Sequence, residues 1–296
     1  MITRLDYIPG STIVPEGSFT ISPSSLGKFF DEPHTWYREH VLGQRNFGMS
    51  TATILGTIVH FCGEEFIKTK SVDKLEIYRY IYKNTYSGTQ PLPETEAEAL
   101  AFVSKIKHPE IDVQHILEQY RPMGNSLIAY LKSRPSSGLV SEKMVATEII
   151  PGYYLAGSCD LVSGRNLYDF KTTSALSAPA SVTYGYRLQL LAYSYAFIHS
   201  GIPIDTASII WITTNQTGRY GKNGKPLADY PATCTLSSVI NIDEQALLFI
   251  ESILRLVAET VQFVTEFPDK AYIAFRDYRL KLADIPQIPF LNKIKK

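Results

Sequence analysis

The three cysteines of this 296-residue chain, Cys62, Cys159 and Cys234, lie far apart and form no C-x-x-C pair. That spacing speaks against a structural zinc knuckle, an iron–sulfur cluster or a disulfide framework, and it fits a reducing compartment. A surplus of one charge is missing too, since 29 Lys and Arg balance 29 Asp and Glu. Global charge therefore advertises no nucleic-acid partner, and any basic surface has to be local. No run of 18 apolar residues occurs, so no membrane-spanning helix is expected. The opening residues, Met1 to Asp6, lack the apolar stretch of a signal peptide and the Arg/Ser bias of a transit peptide. A soluble, intracellular protein is the expectation, in the cytoplasm of a bacterium or a phage-infected cell. Internal repeats and low-complexity segments are absent as well.

What is present can build a sizeable core. Apolar residues make up 45% of the chain and charged residues 20%. The most informative stretch is Gly157-Ser158-Cys159-Asp160-Leu161-Val162-Ser163-Gly164-Arg165-Asn166-Leu167-Tyr168-Asp169-Phe170-Lys171. Its flanks alternate apolar and polar residues like strands. Gly164-Arg165 supplies a two-residue turn with glycine where a positive φ is needed. With that turn Ser163 faces Asn166, and counting back sets Asp160 opposite Asp169. Directly opposed residues sit about 4.5–5.5 Å apart at Cβ, where like charges repel. Lys171 falls on the face of Asp169, while Cys159, Leu161, Tyr168 and Phe170 point to the other. Two carboxylates so placed make sense around a hard divalent cation. The bland alternative is a structural Asp–Lys pair on a sheet face.

Taken in order, residues 1–20 are Pro/Gly-punctuated and extended. Ile21-Ser22-Pro23-Ser24-Ser25-Leu26 opens a helix that breaks before Pro33. Ser22 and Ser24 are N-cap candidates; alternatively, the same helix start receives a phosphate. Residues 54–69 form a helix on which Gly56, His60 and Glu64 share a face. On the helix alone, His60 reads either as a core histidine or as a ligand. A helical insertion follows over about 70–137, with helices at 77–86, 94–106, 113–119 and 125–133. Its run Tyr78-Arg79-Tyr80-Ile81-Tyr82-Lys83 interleaves aromatics and positive charge as a single-strand stacking platform does. Helix packing accounts for the same tyrosines.

Strands are expected at 140–150, 153–162 and 167–173, within a core sheet spanning about 139–236. Glu148 could approach the carboxylate pair or simply be an exposed strand residue. The helix at 180–199 is apolar nearly all round and should be buried; a buried Gln189 then needs hydrogen-bond partners, and Tyr193 and Tyr186 share its face. A strand at 205–214, a basic loop at 218–225, a strand near 232–236 and a long helix at 243–267 complete the order, before a basic tail at 285–296. The fold class is α+β, a central sheet flanked by helices.

Two carboxylates with a lysine two residues on suit metal-dependent phosphodiester hydrolysis, in which a cation activates water and a lysine neutralises developing charge. The ordered set Ser22–Leu26, Gly56-Thr57-Ile58-Val59-His60, Gly157 to Asp160, Asp169-Phe170-Lys171 and Gln189-Leu190-Leu191-Ala192-Tyr193 resembles the PD-(D/E)XK nucleases. Within these it is similar to the RecB-type exonuclease branch of phage exonucleases and the mitochondrial genome-maintenance exonuclease. The resemblance covers roughly residues 20–215. It implies a single restriction-endonuclease-like domain over 1–296. It implies that His60, Asp160, Asp169 and the Phe170 carbonyl bind Mg²⁺ or Mn²⁺, and that Lys171 is the catalytic lysine. It also implies that Gln189 and Tyr193 organise the site and contact DNA. Glu32-Pro33 stands where iron–sulfur members carry Cys-Pro, so no cluster is expected. The expected activity is a DNA exonuclease acting on single strands or duplex ends and leaving 5′-phosphates. An endonuclease of the same fold, or a silent nucleic-acid-binding module, is the alternative.

Overall fold

The computed structural model describes residues 10–44, 48–134, 139–179, 181–218 and 225–275. The basic tail and residues 219–224 of the basic loop lie outside them, as do residues 1–9. The chain opens with strand β1 (Phe19–Ile21), a 3₁₀ turn (Pro23–Ser25) and the short helices α1 (Leu26–Asp31) and α2 (Pro33–His40). Pro33 separates the two helices as expected: it lacks an N–H and is tolerated only in a first turn. Next come α3 (Thr51–Thr69), α4 (Lys74–Thr85), α5 (Glu96–Val103) and α6 (Val113–Lys132). Ser50, Asp73, Thr95 and Asp112 cap them, each accepting a hydrogen bond from a first-turn amide.

Helix α6 is one element where two were expected, running straight through Pro122. Its buried stripe Val113, Ile116, Tyr120, Met123, Leu127 and Leu131 continues unbroken at three- and four-residue spacing. Packing of that stripe on α3 outweighs the lost backbone bond. At the crossing, a Cβ on Gly124 would meet Cys62 Sγ at 3.0 Å, so glycine is what lets the two helices approach. Gln119 ties α6 to the chain beyond the sheet, exchanging bonds of 2.8 and 3.0 Å with the Asn215 backbone. Within the expected insertion, then, α6 is laid on α3 and the sheet, and α4 and α5 pack outside it.

The β region is β2 (Leu139–Val140), β3 (Lys143–Ile150), β4 (Tyr153–Cys159), β5 (Leu161–Ser163) and β6 (Asn166–Thr173), then α7 (Tyr184–His199), β7 (Thr206–Thr213), β8 (Cys234–Leu236), β9 (Ile240–Asn241), α8 (Glu244–Glu266) and α9 (Ala271–Ala274). Two of the expected strands are broken. The first stops at Val140 and resumes at Lys143, with Glu142 at φ 50° between them. The second stops at Cys159 and resumes at Leu161, on either side of Asp160. The breaks let one chain feed two sheets. Strands β1, β4 and β3 form one, with β1 parallel to β4. Strands β2, β5, β6, β7 and β8 form the other, with β9 also on β7 and β6 parallel to β7.

Two helical layers sandwich this assembly. On one face α7 and α8 cover Val145, Leu155, Leu167, Ile209 and Trp211. On the other, α3 and α6 cover Leu161, Tyr168, Phe170, Ile210 and Ile212. Cys159 packs with the α7 layer although Leu161 packs with the α3 layer, so side-chain alternation changes phase at Asp160. The expectation that Cys159 shares the face of Leu161, Tyr168 and Phe170 is corrected accordingly. Beyond the break the hairpin follows the expected register, with Ser163 paired to Asn166 and Gly164 at φ 60°.

Candidate active site

Asp160 occupies the gap between the two sheets, where its carboxylate takes the place of a strand partner. Oδ2 accepts the Phe170 backbone N–H at 2.5 Å, and Oδ1 lies 3.2 Å from His60 Nδ1. Residues on β6 with their amides toward β5 also turn their carbonyls that way, which puts the Phe170 carbonyl on the edge facing Asp160. Across the gap, Asp169 is 3% exposed. Its Oδ1 accepts Gln189 Nε2 at 2.8 Å. Its Oδ2 has the Lys171 ammonium at 2.5 Å as an ion-pair partner, with no aligned hydrogen-bond donor. Lys171 in turn sits 5.2 Å from the centre of the Tyr186 ring. His60 comes from the α3 layer and Gln189 from the α7 layer, and the break at Asp160 is what lets both reach one spot.

These contacts set the charges. Burial works against ionising Asp160, but His60, Lys171 and the Phe170 amide outweigh it and hold its pKa below the usual range. Asp169 goes the other way: burial and then the Asp160 charge push it up to about 7, although Lys171 opposes them. Desolvation opposes the charged forms of His60 and Lys171, yet the neighbouring carboxylates raise both.

A further carboxylate enters from the other strand break. Glu142 donates its backbone N–H to the Cys159 carbonyl at 3.1 Å, and its Oε2 accepts Ser158 Oγ at 2.6 Å. Burial, with the charges of Asp160 and Glu64, pushes its pKa up to about 7. A left-handed φ on a glutamate costs of order 1 kcal/mol and persists only where the surroundings fix it. Sequence reasoning missed Glu142 and weighed Glu148 instead. Glu148 is exposed and accepts the Gly152 amide at the β3–β4 turn. The available signal was Ser141-Glu142-Lys143, a polar triplet interrupting an apolar strand.

Gln189 and Tyr193 are both buried, and their polar groups are engaged inside the chain: Gln189 on Asp169, Tyr193 Oη on the Ser158 carbonyl at 2.7 Å. Ser22 and Ser24 bond each other at 2.9 Å, and Ser22 makes no side-chain capping bond. The Ser22–Leu26 segment nevertheless meets the site through packing. A Cβ on Gly157 would stand 2.9 Å from Pro23 Cδ and 3.1 Å from Tyr193 Cε1. Where space allows, Gly→Ala stabilises by about 0.4–1 kcal/mol through the unfolded chain; overpacking costs about 1–3 kcal/mol. Gly157→Ala is therefore expected to lower the denaturant midpoint, and a raised midpoint would show that the Pro23–Tyr193 contact yields.

The donor set fits a hard divalent cation in kind: two buried carboxylates, one with an oxygen lacking a hydrogen bond, an imidazole and a backbone carbonyl. In this structure Asp160 is held by His60 and the Phe170 amide, and Asp169 by Lys171 and Gln189. Among the described residues no three His, Cys, Asp or Glu side chains are grouped as a ready-made cage.

The family model of the PD-(D/E)XK nuclease superfamily matches residues 20–268. The chain belongs to that superfamily. Nothing among curated proteins matches its sequence. Solved structures similar to it include a "Putative exonuclease" from Eubacterium rectale, 12% identical, covering 91% of this chain and 90% of that one at a TM-score of 0.47. Another is LHK-Exo in complex with dAMP, 12% identical, covering 73% and 95% at a TM-score of 0.33. At those scores the likenesses add no argument, and membership in the nuclease superfamily rests on the family match. Among the described residues no helix is long and apolar enough to cross a membrane.

The charges predict an unusual pH response for the metal-free protein. Asp169 and Glu142 bind a proton more tightly folded than unfolded, so from the usual carboxylate range up to about pH 7 stability falls as pH rises. His60, raised as well, loses its contribution in the same direction. Asp160 runs oppositely, but its window lies below about pH 4. The thermal midpoint in chelator should be higher at about pH 5 than at about pH 8, and Mn²⁺ should raise it more at the higher pH. Scanning fluorimetry at the two pH values reads both.

Proposed function

We propose that the protein is a divalent-metal-dependent DNA exonuclease of the RecB-type branch, a single nuclease domain with Mg²⁺ or Mn²⁺ held by His60, Asp160, Asp169 and the Phe170 carbonyl. The observation that carries this reading is the convergence at the Asp160 break. There Asp160 meets His60 and the Phe170 amide while Asp169 meets Lys171 and Gln189, in a chain of this superfamily. A bound cation would supply Lewis-acid stabilisation of the phosphoryl oxygens and lower the pKa of a coordinated water.

The chain's own residues do the rest. Asp160 stays ionised because His60, Lys171 and the Phe170 amide favour its charge. Asp169, whose other oxygen Gln189 fixes, would be favoured in its ionised form by a cation held there. Lys171, paired here with Asp169, would be released where a cation takes over that carboxylate, and would then hold the attacking water and neutralise charge building on the phosphate. The water oxygen bonds to phosphorus and releases a proton to solvent, the P–O3′ bond breaks, and the departing 3′-oxygen takes a proton from a second water, leaving a 3′-hydroxyl and a 5′-phosphate. Tyr193 and Gln189, bonded inside the chain, are positioning residues in this scheme.

The test is digestion of 5′- and 3′-labelled linear DNA, single-stranded and duplex, beside a covalently closed circle, with Mn²⁺ and with chelator. Metal-dependent shortening of the linear strands alone supports the reading. A cut circle turns it to an endonuclease, and inert DNA in all arms, unchanged from Lys171→Ala, overturns it.

A further inference from the structure

All four tyrosines of the α4 run pack on the core beneath α3 and α6, and the fold gives them different neighbours. Tyr78 is fully buried, with its hydroxyl 3.1 Å from that of Tyr120. Tyr82 and Tyr86 lie against each other with ring centres 5.0 Å apart, and Tyr86 meets Phe102 edge-on at 5.2 Å. Tyr80, half-buried, also lines a cleft between α4 and α3 together with Phe61, Thr57, Ile58 and Ile77. The cleft holds 160 Å³. That is well below the roughly 300–1,000 Å³ of sites that enclose a whole small-molecule ligand.

Its position on α3 matters more than its size. Thr57 is three residues before His60 and four before Phe61, so it stands between the His60 face and the cleft on consecutive turns of one helix. Thr57 is exposed, so the surface of α3 between His60 and the cleft meets solvent at that residue. On the other face of the same turn, a Cβ on Gly56 would stand 3.3 Å from Thr172 Oγ1, so α3 runs close against the end of β6 that carries Lys171. Exposed Arg79 and Lys83 follow each other at i, i+4 beside Tyr80, and Arg79 pairs with Glu76, the one acidic residue at the cleft.

We propose that the Tyr80–Phe61 cleft is a subsite for one unstacked nucleobase of a single-stranded DNA substrate whose backbone runs to the metal site along the exposed Thr57 side of α3. This rests on the nuclease reading and narrows it to strands whose bases are free to leave the stack. An aromatic face takes any base, at a strength that alanine substitution reveals base by base. Paired bases in a duplex interior are unavailable to such a cleft, so duplex DNA engages it only at a frayed end. Arg79 and Lys83 supply the salt-sensitive share of binding and Tyr80 the salt-insensitive share.

The measurement is equilibrium binding, in chelator, of a single-stranded oligonucleotide carrying the fluorescent base 2-aminopurine. Stacking quenches that fluorescence. Wild type should quench it, a blunt duplex of the same sequence should not show the effect away from its ends, and Tyr80→Phe should behave as wild type. Tyr80→Ala and Phe61→Ala should lose the quench and weaken binding by about fivefold or more at every salt concentration. If both alanine variants bind and quench as wild type does, or if Tyr80→Phe fails as Tyr80→Ala does, the subsite is overturned. Hydrolysis by wild type against Lys171→Ala, measured alongside in Mn²⁺, reports separately on the nuclease reading. A Tyr80-dependent quench without hydrolysis leaves the subsite standing and removes the enzyme.

Discussion

Replacing Lys171 by methionine is expected to lower metal-dependent hydrolysis by about 10²–10³-fold, the usual cost of removing one group that neutralises transition-state charge. The substitution also acts on Asp169, because Lys171 is the main influence holding that carboxyl down against burial and the Asp160 charge. Without the ammonium, Asp169 keeps its proton to higher pH, so Mn²⁺ binding and any residual activity should shift to more alkaline pH. Lys171→Arg separates the two effects. Arginine restores a cation beside Asp169 and should return the pH dependence towards that of wild type. Its rigid planar fork does not reproduce a mobile point charge, so the rate should stay low. Rates and calorimetric Mn²⁺ titrations across pH for the three proteins give the answer. A methionine variant within tenfold of wild type would remove Lys171 from the chemistry.

The parts of this site that were legible in the sequence are those fixed by local rules. Gly164 announced its turn because few other residues accept φ 60° there, and the Ser163–Asn166 register followed. Gln189 announced a partner because it sits in a helix with no polar face, and a buried amide has to be satisfied. Non-local geometry was not legible. Nothing local marks Asp160 as the point where a strand changes sheets, since the carboxylate itself substitutes for the missing ladder bond to Phe170. Leu161 and Val162, consecutive and both buried, mark only that helices cover both faces of the sheet, one residue facing each layer. Glu142 was hidden for a similar reason, because a left-handed glutamate is held by tertiary bonds that no propensity reports. Pro122 misled in the opposite sense. A strong local breaker was overruled by a six-residue apolar stripe pressed against α3.

Asp160→Asn and Asp160→Ala are expected to abolish activity alike and to part company in stability. Both remove a carboxylate that the proposed cation needs, so both should lose the Mn²⁺-induced rise in thermal midpoint. Asparagine keeps a carbonyl oxygen able to accept the Phe170 amide and removes a negative charge from beside Asp169 and Glu142, whose pKa values that charge helps to raise. That relief is offset at about pH 8 by loss of the His60 and Lys171 contacts that hold the Asp160 pKa down, so the metal-free asparagine variant should fall between wild type and alanine in stability. Alanine leaves the Phe170 N–H with no acceptor in a buried gap, a loss of about 1–3 kcal/mol. Chemical denaturation of the three proteins in chelator, at about pH 5 and about pH 8, measures both effects. If asparagine proves as damaging as alanine at the higher pH, the acceptor for the Phe170 amide adds nothing measurable and the charge of Asp160 carries its whole contribution to folding. The strand break would then be a structural ion-pair centre before it is a metal site.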